Sequence, residues 1–323
     1  MKKLASVFMA LALVAGIFAF AGCGNAATSE SKVYNIGICQ LVTHDALDAA
    51  TEGFKKALED KLGAENVKFD YQNAANDSAT CTTIVNSFVS KNVDLIMANA
   101  TPALQAAQNA TATIPILGTS ITEYGVALGI SDFSGTVGGN VSGTSDLAPL
   151  TEQADALLEL CPDAKTVGLL YCSAEANSEY QVKVVEEYLA GKGLTCTRYS
   201  FADSNDVSTV TENAASNRDV IYIPTDNTAA SCTETIGNIV RAKKVPVFAG
   251  EEGICKGCGI ATLSISYYDL GYKTGEMAAQ ILTGESKIEE MPIEYAPATK
   301  KYNKEICEEF GMAIPDSYIA IEA

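Results

Sequence analysis

Asp219-Val-Ile-Tyr-Ile-Pro-Thr-Asp-Asn-Thr-Ala229 decides how this chain is read. Residues 220–223 form a short apolar, β-branched run with one aromatic, as a buried strand requires. Pro224 ends it, because proline has no N–H to give a ladder. Four polar residues follow, Thr225 to Thr228, and then a helix is expected over 229–243 with Asn227 or Thr228 as N-cap. Strand, polar corner, helix is the unit at whose corner open α/β sheets bind ligands. The plainer alternative is that these polar residues only cap a helix.

The same unit recurs on both sides. Upstream, strands are expected over 33–39, 67–71, 93–98 and 114–117, with helices over 46–62, 79–91 and 103–110. Residues 124–133 are less regular, and 137–146 read as a strand with glycine hinges. A helix over 150–160 leads into a second set. It has strands over 166–171, 194–200, 220–223, 245–249 and 260–266, and helices over 179–192, 204–216, 229–243 and 269–282. A strand over 293–296 and a helix over 303–310 follow, and regular structure is expected to end near Ile314. Two successive sets of alternating strands and helices predict two doubly wound parallel-sheet α/β lobes joined by a hinge. The expected division is 34–145 plus 264–284 for the first lobe and 146–263 plus 285–323 for the second.

The 323 residues can bury two cores. Residues 1–23 read as a leader: Lys2 and Lys3, an apolar run over 4–20, then Ala21-Gly22-Cys23. Small residues before a lone cysteine point to lipid attachment at Cys23, although Phe20 departs from the usual aliphatic residue; an uncleaved anchor is the alternative. Either way the body lies outside the cytoplasmic membrane, and the small polar residues 24–33 serve as a tether. The formal charge is −18, which argues against nucleic acid or anionic lipid as partner.

Ten cysteines are scattered through the expected elements, and most read as small buried hydrophobes. Cys255-Lys-Gly-Cys258 is the one tight pair, a local disulfide or free thiols, with no second such pair or histidine nearby.

Much chemistry is missing. His44 is the single histidine, which rules out a multi-histidine zinc site. A Ser–His–Asp triad would have to use it, yet no GxSxG elbow exists. No Walker A loop and no GxGxxG after a strand is present. The reading is therefore a binding protein, not an enzyme, without cofactor or metal.

Several runs resemble one family. Ser173-Ala-Glu-Ala-Asn-Ser178, Pro224-Thr-Asp-Asn-Thr228, Pro246-Val-Phe with Glu251-Glu-Gly, and Tyr267-Tyr-Asp-Leu-Gly-Tyr-Lys-Thr-Gly-Glu276 are similar to the ABC-transporter substrate-binding lipoproteins of the tryptophan and aromatic amino acid type. Gly143-Thr-Ser-Asp146 and His44-Asp-Ala-Leu-Asp48 fit as well, though Asp45 stands where relatives carry proline. The resemblance spans nearly the whole chain past the leader. It implies the type I periplasmic-binding fold, capture of a small solute in the inter-lobe cleft, and delivery to a membrane permease driven by a separate ATPase. It further implies a monomeric, lipid-anchored protein whose solute is an amino acid, aromatic in several members. Another solute (nucleoside, sugar or peptide) or a sensory role at a membrane receptor are the alternatives.

An α-amino acid presents a carboxylate and an ammonium. Hydroxyls, backbone N–H groups and helix N-termini can take the carboxylate, and Thr101, Thr119, Ser120, Asn177 and Ser178 stand at such ends. Asp226 is the first choice for the ammonium, with Asp146 and Glu251 behind it and Gln40 and Asn227 in support. A side chain could lie against Tyr124, Tyr171, Tyr267 or the ring of His44. Each has a bland alternative. Asp146 and His44 could be helix caps, Glu251 a solvated loop residue, and the tyrosines core.

Overall fold

A computed structural model describes residues 32–321; the leader, Cys23 and most of the tether lie outside the described residues. Its elements run β1 (Tyr34–Gln40), α1 (Asp45–Leu62), β2 (Val67–Asn73), α2 (Ser78–Lys91), β3 (Leu95–Asn99), α3 (Thr101–Ala110), β4 (Ile116–Ile121), α4 (Tyr124–Leu128) and β5 (Val141–Ser145). Next come α5 (Leu150–Leu160), β6 (Thr166–Cys172), α6 (Ala176–Gly191), β7 (Thr195–Phe201), α7 (Val207–Asn217), β8 (Val220–Ile223), α8 (Asn227–Ser231) and α9 (Thr233–Lys243). The chain continues through β9 (Val247–Ala249), α10 (Glu252–Cys258), β10 (Ala261–Ser264), α11 (Tyr267–Thr283), β11 (Glu294–Tyr295), β12 (Thr299–Tyr302), α12 (Lys304–Phe310) and β13 (Ile319–Ala320).

Two sheets result. The first has strand order β11-β5-β4-β3-β1-β2 and the second β13-β12-β10-β9-β8-β6-β7. Pairing is parallel except where β12 runs antiparallel to β10. Helices cover the faces because the central strands are apolar on both sides: β3 and β8 are buried throughout. Ile36, Ile38, Phe54, Leu95 and Met97 anchor one core in the first lobe, and Val167, Leu169, Val220, Tyr222 and Phe248 one in the second.

The longest helix contact builds the first lobe from distant parts of the chain. α1 and α11 approach so closely that a Cβ on Gly271 would lie 1.9 Å from the Ala50 carbonyl oxygen, and one on Gly53 2.1 Å from that of Tyr268. Only hydrogen at these positions permits the crossing.

Several expectations change. The helix expected over 229–243 breaks at Cys232 into α8 and α9, and its N-cap is Asp226 rather than Asn227 or Thr228. The aspartate side chain reaches the Ala229 N–H, which the two following residues are placed too far along the helix to do. Residues 285–296 do not join the second lobe at 284 as expected. Ile288 and Met291 pack in the first core and β11 pairs with β5, so the chain crosses over only between β11 and β12. Regular structure also runs past Ile314, to β13 on the edge of the second sheet. Residues 252–258, for which the sequence gives no element, form α10. Cys255 and Cys258 lie on it as buried free thiols, not as a disulfide.

Candidate functional site

Parallel strands end on the same side of each sheet, so the corners after β1, β4, β5, β8, β9 and β10 gather where the two lobes face each other. A narrow, nearly filled cavity lies there. The first lobe supplies His44 from the turn into α1, Ser120 and Thr122 at the end of β4, and Asp146 just past β5. Asn177 from the first turn of α6, Asp226 and Asn227 at the head of α8, and Glu251 after β9 come from the second. Tyr267, the first residue of α11, closes one side, and Leu47 and Ala230 give apolar surface.

Four buried side-chain atoms without a hydrogen-bond partner belong to residues lining this cavity: His44 Nδ1, Ser120 Oγ, Asp146 Oδ1 and Asn177 Oδ1. Leaving a buried polar atom unmatched costs about 1–3 kcal/mol, so such a concentration marks a place built for a further partner. Their chemistry is definite. Asn177 donates through Nδ2 to Glu175, Ser178 and the Thr225 carbonyl, which turns its Oδ1 outward as an acceptor. The Tyr267 hydroxyl donates to Asp146 Oδ2 at 2.8 Å, which leaves Oδ1 as acceptor. His44 Nε2 meets Asn227 Oδ1 at 3.3 Å, so Nε2 carries the hydrogen and Nδ1 the lone pair. Ser120 sits in the left-handed region at φ 56°, beside the register shift in β4, and its hydroxyl can give or accept.

The electrostatics favour a cation. Three carboxyl groups line the cavity and no lysine or arginine does. Burial pushes Asp146 up to about 6, its bonds to Tyr267 and Thr122 opposing. Burial raises Glu251 to about 7. Burial, and after it the charge of Glu175, raise Asp226 to about 8. His44 is driven the other way: burial lowers its pKa and keeps the imidazole neutral.

The structure sorts the expected residues. His44, Ser120, Asp146, Asn177, Asp226, Asn227 and Glu251 come together on the cavity. Asp226 and Glu251 do so with their oxygens engaged. Asp226 accepts the Ala229 and Cys172 N–H groups at 2.7 and 2.6 Å, and Glu251 caps α10 through the Gly253 and Ile254 N–H groups. Asp146 is no helix cap, since Pro149 holds that position before α5. His44 does stand at the N-cap of α1, without a side-chain cap bond.

Gln40, Thr101, Thr119 and Ser178 do not line the cavity. Gln40 is used up inside the first lobe by Val42, Asp48 and Thr51, and Thr119 bonds Thr144. Thr101 is buried at the start of α3, and Ser178 is held by Asn177 and Asp226. Of the three tyrosines only Tyr267 reaches the cavity; Tyr124 bonds the Gly118 and Thr144 carbonyls within its own lobe, and Tyr171 packs in the second core.

Reading the sequence missed Glu175, the acceptor that holds Asn177, Asn227 and Thr228. The available signal was its place two residues before Asn177 in an otherwise small, polar turn.

Comparison with known proteins agrees with this geometry. The model of the ABC transporter substrate binding protein family matches residues 35–323. A Clostridioides difficile protein described as a tyrosine-binding protein is 38% identical over 297 residues, 88% of this chain and 85% of its own length. A Streptococcus pneumonia ABC domain solved in complex with L-Trp is 31% identical, with a TM-score of 0.85 over 90% of this chain and 100% of that one. The ligand-free, open structure of a Clostridium difficile substrate binding protein with adhesive properties is 38% identical, with a TM-score of 0.69 over 90% of this chain and 100% of that one. The chain belongs to the ABC transporter substrate binding protein family, and it is an extracytoplasmic solute-binding component that works with a permease.

Proposed function

We propose that the solute is a free α-amino acid with an aromatic side chain, tyrosine or tryptophan, bound through its ammonium. The observation that carries this is the set of three unmatched acceptors, His44 Nδ1, Asp146 Oδ1 and Asn177 Oδ1. A primary ammonium has three N–H donors, and a carboxylate among the acceptors makes the contact charge-assisted. The Ser120 hydroxyl is left to serve the ligand carboxylate. The ring lies against Leu47, Ala230 and Tyr267. The names of the relatives, tyrosine-binding and complexed with L-Trp, favour the same class. Neither sugar nor nucleoside supplies the positive charge that this lining calls for.

Isothermal titration against the twenty amino acids tests the reading. Tyrosine or tryptophan is expected to bind, and their N-acetyl derivatives to fail. Equal binding of the N-acetyl forms, or silence from all twenty, overturns it. We further propose that the protein acts as a monomer anchored by lipid at Cys23. Mass spectrometry of the membrane fraction is expected to find a diacylglyceryl group there, and replacing Cys23 is expected to release the protein from the membrane.

A further inference from the structure

Glu175 is buried but does not line the cavity, yet the atoms facing the cavity depend on it. It occupies the N-cap position of α6 without its side chain capping that helix's backbone N–H groups. Its carboxylate turns instead to the head of α8. Oε2 accepts from Asn227 N at 3.0 Å, Asn227 Nδ2 at 2.7 Å and Asn177 Nδ2 at 3.1 Å; Oε1 accepts from Thr228 N at 2.9 Å and Thr228 Oγ1 at 2.8 Å. Five donors on two oxygens suit a group that only accepts.

That arrangement sets a polarity further out. Asn227 must point its NH₂ at Glu175, so its Oδ1 faces His44 across the cleft. An amide oxygen only accepts, which places the imidazole hydrogen on Nε2 and the lone pair on Nδ1. Thr228 likewise gives its hydrogen to Glu175, which leaves its oxygen to accept from Asn76 Nδ2 of the first lobe at 3.1 Å. Both bonds join the two lobes, and one carboxylate orients both.

We propose that Glu175 is a positioning residue for solute capture: by orienting Asn227 and Thr228 it fixes the Nε2–H tautomer of His44, so that Nδ1 can accept from the solute, and it couples this to the two side-chain bonds that hold the lobes together. The inference rests on the reading of the cavity as an ammonium site. Ligand recognition and lobe closure then share one buried group, which touches neither the solute nor the opposite lobe.

His44 is the single histidine of the chain, so the imidazole ¹⁵N spectrum of untagged protein holds one residue's signals. With L-tyrosine or L-tryptophan present, wild type is expected to show one tautomer, protonated at Nε2. Glu175→Gln brings N–H groups against Asn227 and is expected to give mixed or reversed tautomers, and to raise the dissociation rate about tenfold with little change in association. Thr228→Val removes the second cross-lobe bond and the Thr228 hydroxyl's bond to Glu175 but leaves both Asn227 bonds to Glu175 in place; it is expected to raise dissociation about threefold and leave the tautomer as in wild type.

A Glu175→Gln protein that is less stable but keeps the wild-type tautomer and dissociation rate overturns the proposal. So does wild type with the hydrogen on Nδ1, a result that needs no variant to fold. Wild type that binds neither amino acid overturns the ligand reading alone, and the spectrum of that same sample still decides the tautomer.

Discussion

The two lobes line one cavity in opposite ways. On the first lobe's side, His44, Ser120 and Asp146 each keep a buried atom unmatched. On the second, Glu175, Asp226 and Glu251 have their carboxylate oxygens filled by N–H and O–H donors of their own lobe, and only Asn177 keeps an oxygen free. One wall therefore presents open hydrogen-bonding atoms to the cavity, and the other is braced from within. The difference teaches that a buried acid in a binding cleft is not thereby a ligand contact; the fate of its oxygens decides.

The sharpest way to break this contrast is to exchange the roles of the acids. Asp146→Ala is expected to cost about 2–5 kcal/mol of affinity, because a buried ammonium loses its charged acceptor, and to change folding stability much less. Titration calorimetry checks it, and unchanged affinity would remove Asp146 from the site. Asp226→Ala is expected to do the reverse. Losing the cap of α8 costs about 1 kcal/mol, and stranding the buried Cys172 N–H about 1–3 kcal/mol more. Denaturant unfolding should register that loss while affinity shifts less. If Asp226→Ala instead abolishes binding in a stably folded protein, the braced wall is a contact wall after all.

Acidity separates the same groups. Asp146, Glu251 and Asp226 are raised to about 6, 7 and 8, whereas in the unfolded chain such carboxyls titrate near about 4. Folding therefore takes up protons. The contribution of these groups to ligand-free stability is full below about pH 4 and is lost as pH rises through 6 to 8. Affinity for a cationic amine should move oppositely, rising as Asp146 ionises near pH 6. Melting curves at pH 5 and 8, with and without tyrosine, are expected to show the two trends crossing; parallel curves would dissociate Asp146 from the ammonium. The smallest expected effect is Ser120→Ala, a loss of about 0.5–1.5 kcal/mol for one neutral hydrogen bond, read by the same calorimetry.

How much of this was legible follows from what each signal encodes. Runs such as residues 220–223 declare a buried strand through β-branched apolar residues, and a polar corner after each one declares the side on which ligands gather. The parallel lobes were readable on that basis. Which oxygen of which acid stays free was not. Asp226 and Asp146 are the same residue type at equivalent corners, and only the local N–H geometry, two donors at Asp226 against a tyrosine hydroxyl at Asp146, tells them apart. Gln40 has the same chemistry as a ligand-binding glutamine but is spent on Asp48 and Thr51 of the following helix, α1. α10 hid behind Gly253 and Gly257, residues that argue against a helix until Glu251 caps it and Thr233 and Asp45 pack on it. β12 and β13 are short strands of four and two residues at one end of the second sheet, too brief for periodicity to show.

The glycine-lined crossing of α1 and α11 has a consequence for how the protein comes into being. A helix from the first fifth of the chain can find its mate only once residues near 271 exist, and the first sheet gains its β11 edge later still. An amino-terminal fragment ending before α11 would therefore expose the seam around Gly53 and remain without a stable lobe.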